Sequence, residues 1–134
     1  MTMSPIPVLL LSIHEDLMRL RMTYNYMMQN APSEEARRLV DMNLHTVNHT
    51  MEELERIHMA VAPHEMLPSH TPTDVPIFTD FMEAARYAFM TETHLIQKAR
   101  DLHSIIDECH HMVVFNMIVD HQLNVMRLLY LDMF

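Results

Sequence analysis

The sequence predicts an all-α protein folded as a four-helix bundle, and three observations carry that expectation. There is no glycine in 134 residues, and tight β-hairpin turns need residues that accept positive φ. Apolar residues recur at spacings of three and four through long stretches, which is the helical period. Breaks rich in proline or in helix-capping residues separate these stretches into four. A chain of this length is enough for one domain with one core, and a charged fraction of 20% is ordinary for a folded protein.

The first helix is expected over 5–29. Ser4-Pro5 supplies a cap and a first-turn proline. Ile6, Leu9, Leu10, Ile13, Leu17, Leu20, Tyr24 and Met27 form one face, with Glu15 and Arg19 paired on the solvent side. Asp16 falls beside the apolar line. Asn30-Ala-Pro-Ser33 is a break, because Pro32 disfavours helix at Ala31 and Ser33 is a good cap for the second helix. That helix, 34–61, carries Val40, Leu44, Val47, Met51, Leu54 and Val61, and Pro63 supports its end.

Pro63 to Pro76 holds four of the seven prolines and reads as an extended connection. At roughly 3.3 Å per residue it reaches ~45 Å, enough to return along the whole second helix. This length predicts a long crossover between parallel second and third helices. The third helix is expected over 75–102, on Phe78, Phe81, Met82, Ala85, Phe89, Leu95, Ile96, Ala99 and Leu102, with Glu92 on that same line. Ser104-Ile-Ile-Asp107, with Glu108 next, resembles a capping box opening the fourth helix, 105–133. That helix is apolar almost all round from Met112 to Met126, which predicts burial on more than one side. An exposed run there marks a subunit interface.

The formal charge of −9 and a pI near 5.5 argue against nucleic acid or an anionic membrane as partner. The 11 histidines make the charge depend on pH near neutrality. The 16 methionines are spread without a dense Met-x-x-Met array, so they read as adaptable core filler rather than soft metal ligands. Cys109 is alone in an apolar run, which predicts a buried thiol, no disulfide and a reducing compartment. Pro7-Val-Leu-Leu-Leu11 is too short to span a membrane and no basic residue precedes it, so neither a signal peptide nor a transmembrane segment is expected.

Bundle proteins build metal sites from carboxylates and Glu-x-x-His pairs on facing helices. Glu55-Arg-Ile-His58 and Glu108-Cys-His-His111 match that spacing, which chance also supplies in a chain this rich in both residue types. A better-placed set lies near mid-height: Asp16, His49, Glu52, Glu92, Asp120 and His121. The even helices repeat Val47-Asn48-His49-x-x-Glu52 and Val119-Asp120-His121-x-x-Asn124, while the odd helices each bring one acid. Such a set suits one or two ions of iron or manganese, with zinc also compatible. The plainer reading is a set of core ion pairs and solvated flank positions. Nucleophilic catalysis has no motif here.

Two helical hairpins joined by a crossover, each with a similar centre, resemble the ferritin-like superfamily. Its metal proteins read Asp-Glu-x-x-His on the second and fourth helices, where this chain has Asn48-His49-x-x-Glu52 and Asp120-His121-x-x-Asn124. The first half also resembles the Coat F group of spore coat proteins, through Glu15-Asp16-Leu17, Tyr24-Asn25-Tyr26, Ala31-Pro32-Ser33-Glu34, Arg37 and the stretch from Asn48 to His58. These resemblances imply a non-enzymatic structural or assembly protein, a homo-oligomer or coat component, in the cytoplasm or a spore coat. The alternative they imply is a di-metal oxidase or metal-storage protein using Asp16, His49, Glu52, Glu92, Asp120 and His121.

Overall fold

The computed structural model of the protein describes residues 5–65, 67 and 72–133. Helices α1 (Pro5–Gln29), α2 (Glu34–Val61), α3 (Phe81–Ile105) and α4 (His111–Asp132) pack against one another, with a short 3-10 turn at Glu108–His110. There is no strand among the described residues. The shared core runs through Leu10, Leu17 and Leu20 of α1, Val40, Val47 and Leu54 of α2, Ala88, Leu95 and Leu102 of α3, and Val114 of α4.

Side-chain pairs fix the directions. Tyr24 meets Glu92 and Asp16 meets Lys98, so α1 and α3 are antiparallel. Thr50 meets His121 and Asn43 meets Asn124, so α2 and α4 are antiparallel as well. Tyr24 also meets Asn43, and Arg21 meets Asn48, which sets α2 against α1. Hence α2 and α3 run the same way, and the chain between them travels the length of the bundle. Its return path is pinned to α1. The Arg19 guanidinium grips both Asp74 oxygens at 3.1 Å, and Phe78 sits between the rings of Tyr26 and Tyr87. Arg19 thereby lowers the pKa of Asp74, and Asp74 raises that of Arg19. Ser69, His70 and Thr71, expected within the connection, and Ser4, the expected first cap, lie outside the described residues.

The first two helices begin and end where the sequence places them; the other two do not. Helix α3 starts at Phe81 rather than 75, because Asp80 caps it: the Asp80 side chain accepts from the Glu83 backbone N–H at 2.8 Å, and Glu83 reaches back to Thr79. The expected capping box at Ser104 does not form. Ser104 is still inside α3, where its hydroxyl donates to the Asp101 carbonyl, and α4 begins six residues later than expected, at His111. Ser33 caps α2 as expected, accepting from the Ala36 N–H at 3.1 Å. Ser33→Ala and Asp80→Ala should each lower stability by about 1 kcal/mol, measured by urea unfolding. Exposed Glu34→Ala is the control, with a smaller effect expected.

Two burial expectations are corrected. Cys109 is exposed, because it sits on the 3-10 turn outside the bundle rather than in the fourth helix. Helix α4 buries only Val114, Met117, His121, Asn124, Leu128 and Leu131, a single face. Its opposite face shows Met112, Phe115, Val119, Leu123, Met126, Leu129, Tyr130 and Met133, each 38–81% exposed. The methionines divide accordingly. Met27, Met51 and Met117 fill core, while Met59, Met90, Met112, Met126 and Met133 face outward.

Candidate functional site

At mid-height the core is polar, and all four helices contribute. Glu92 of α3 and His121 of α4 are both fully buried and meet at 2.6 Å between the carboxylate Oε2 and ring Nδ1. The other carboxylate oxygen, Oε1, accepts from the Tyr24 hydroxyl of α1 at 2.7 Å and from Asn124 Nδ2 of α4 at 2.8 Å. Asn43 of α2 donates to the Tyr24 hydroxyl and to the Asn124 backbone carbonyl, while Asn124 donates in return to the Asn43 carbonyl. Arg127 closes the set by donating to the amide oxygens of Asn43 and Asn124.

These positions fall inward for a simple reason. Glu92 continues the Ala85, Ala88, Leu95 face of α3, and His121 and Asn124 continue the Val114, Met117, Leu128 face of α4. Burying polar groups there is costly unless every one is partnered, and every one is. Burial, together with the neighbouring Glu92 carboxylate, raises the Tyr24 pKa well above its ordinary value. That keeps the phenol a donor. On the far side of the imidazole, Nε2 lies 2.8 Å from the Thr50 hydroxyl, which also lies 2.9 Å from the Thr46 carbonyl. The Thr50 hydroxyl thus links the imidazole to the backbone of α2.

The six residues expected to share an ion are dispersed. Glu92 and His121 come together in the buried network. Asp16 is buried elsewhere, with one oxygen on Arg19 and the other on Lys98, each at 2.8 Å. His49 and Asp120 meet only at the rim of a small cleft of about 120 Å³ between α2 and α4, shared with Glu53 and Asn116. Glu52 lies on the exposed face of α2. Among the described residues, no group of three or more His, Cys, Asp or Glu side chains is arranged to hold one metal ion. The two Glu-x-x-His pairs are also split. His58 is buried while Glu55 is exposed, and His111 gives its ring to a stack on His103 and to the Ile106 carbonyl.

Comparison brings no relative to bear on this site. No protein-family model, curated protein or solved structure matches the chain. The chemistry must therefore be read from the residues. Sequence reasoning missed Asn43 and Thr50, and took Tyr24 for core alone. Neutral polar residues on an apolar line were the available signal, and Asn43 sits seven residues before Thr50, two turns apart on one face of α2.

Proposed function

We propose that this chain is a non-enzymatic, ferritin-like helical protein with a structural or assembly role of the spore-coat type. The observation that carries this reading is the closure of the central cluster. Both Glu92 oxygens and both His121 ring nitrogens are engaged by side chains of the protein itself, inside a core with no exposure at either residue. A coordinating centre needs converging donors with lone pairs to spare, and an acid–base centre needs access to a substrate. This cluster offers neither, and instead ties four helices together through one set of bonds. The helix order, with two antiparallel hairpins and a lengthwise crossover, is what a ferritin-like chain would have. The matching location is the cytoplasm or a spore coat; no helix among the described residues is long and apolar enough to cross a membrane.

The test pairs metal content with assembly state. Protein purified without chelator, and then offered Fe(II) and Mn(II), is expected to hold well under one equivalent of metal by mass spectrometry and to self-associate in sedimentation. One or two equivalents, lost in Glu92→Ala/His121→Ala, would replace this reading with an iron- or manganese-binding oxidase or storage protein.

A further inference from the structure

We propose that the exposed face of α4 is a self-association surface, on which two copies pair antiparallel about a twofold axis passing near Gln122 and Leu123. The inference rests on the assembly reading and deepens it by naming the partner, a second copy of this chain, and the register.

Four observations carry it. First, the face is continuous. Met112, Val119, Met126 and Met133 recur every seven residues, with Phe115 and Leu123 between them, so an apolar stripe runs the length of the helix. Such a seam fits helix-on-helix packing at a shallow crossing angle. Second, the area suffices. At roughly 100 Å² each, eight half-exposed large side chains present on the order of 800 Å², which is what one partner contributes to a stable interface.

Third, the charge is right for like on like. The formal charge of the chain is −9, so most faces of two copies repel. The exposed positions of α4 carry no charged residue except Asp132, at the very end of the helix. By contrast, the exposed positions of α2 include Glu35, Arg37, Arg38, Glu52, Glu55 and Arg56. Depletion of charge across an apolar patch is the compositional mark of an interface core. With no cation on this face, an anionic lipid surface is a poor occupant.

Fourth, the stripe matches itself when reversed. An antiparallel copy sets Met112 opposite Met133 of the partner subunit and Val119 opposite Met126 of the partner subunit. Gln122 then falls beside the axis, where the two amides can exchange N–H···O bonds reciprocally. A twofold pairing requires that kind of self-complementary patch.

The experiment uses the full chain in a Cys109→Ser background. Val119→Cys/Met126→Cys should form a covalent dimer on mild oxidation, with the 119–126 bond between chains identified by mass spectrometry. Val119→Cys alone should not, because two helical turns separate its copies and a disulfide needs Cα atoms within about 7 Å. Separately, Val119→Glu/Met126→Glu should weaken dimerisation at least about a hundredfold in sedimentation while the helical far-UV spectrum stays near wild type. Cross-linking by the single cysteine indicates parallel pairing and overturns the register. Self-association that survives the glutamates overturns the α4 surface but leaves the assembly reading standing. A wild-type chain that stays monomeric up to high micromolar concentration overturns both. Binding of the monomer to neutral phosphatidylcholine vesicles, lost in the glutamate variant, would give the face to lipid and overturn the pairing.

Discussion

His121→Ala is expected to lower the unfolding free energy by about 3–5 kcal/mol, the usual result of removing the partner of a buried carboxylate. For a chain of this size that corresponds to a melting temperature roughly 10–18 °C lower. The substitution removes the bond to Glu92 Oε2 and leaves a carboxylate with no exposure and only the Tyr24 and Asn124 donors. Glu92→Ala should cost a similar amount, because it strands the imidazole, the Tyr24 hydroxyl and one Asn124 N–H together. The informative variant is the double one. Glu92→Leu/His121→Leu exchanges a buried polar pair for apolar volume, a replacement that is often neutral once neither partner remains. It should therefore lose far less than the sum of the single substitutions, with a residue of about 1–3 kcal/mol from the Tyr24 O–H, which loses its acceptor while its oxygen keeps Asn43. Additive losses in a double-mutant cycle would mean that Glu92 and His121 act independently, contrary to the geometry.

The second large effect concerns His14 and has the opposite sign. Its ring is buried on α1, and its Nδ1 has no hydrogen-bond partner among the described residues. Burial lowers its pKa below the ordinary 6.5, against the partial opposition of Glu55 and Glu15, while Arg21 and His58 lower it further. Well above pH 6.5 the ring is neutral in both states and its titration contributes nothing to pH dependence. As the pH falls through 6.5 the unfolded chain takes up a proton that the folded chain refuses, so stability declines until the folded value is reached. His14→Leu should abolish this share of the acid-side decline. By removing a buried unsatisfied nitrogen it should also stabilise the protein by about 1–3 kcal/mol at neutral pH. Chemical denaturation of both proteins at several pH values from 7.5 down to 5 decides the matter. Parallel stability–pH curves would sink the assignment to His14.

How much of the fold and the cluster was legible in the sequence depended on whether a signal lay within one helix or between helices. The helical period, the cap at Ser33 and the stop at Pro63 sufficed for α1 and α2. The ends of α3 and α4 were misplaced, because packing between helices decides where each one stops: Asp80 caps α3, and Ser104 stays inside it. Glu92 stood out as a carboxylate on an apolar line, and it is buried. His49 was paired with His121 because Val-x-His recurs around both, yet that likeness ignores helical phase. Thr50 faces the centre, and His49 is turned about 100° from it by the pitch of the helix. Asn43 carries no charge and no motif, so only the packed structure shows that it joins Tyr24 to Asn124.

The division of the network between the two halves of the chain also bears on how the protein is made. The α1–α2 hairpin leaves the ribosome first, and at about 5–20 residues per second it waits several seconds for the rest of the chain. During that interval its inner face is bare. To the central network it contributes only the uncharged groups of Tyr24, Asn43 and Thr50, while Asp16 already has Arg19 one turn away on its own helix. The titratable members Glu92, His121 and Arg127 all arrive on the later hairpin, with Glu92 and His121 able to pair inside it. The nascent first half is thus never asked to shelter a lone charge, and the second half can join Glu92 to His121 within itself.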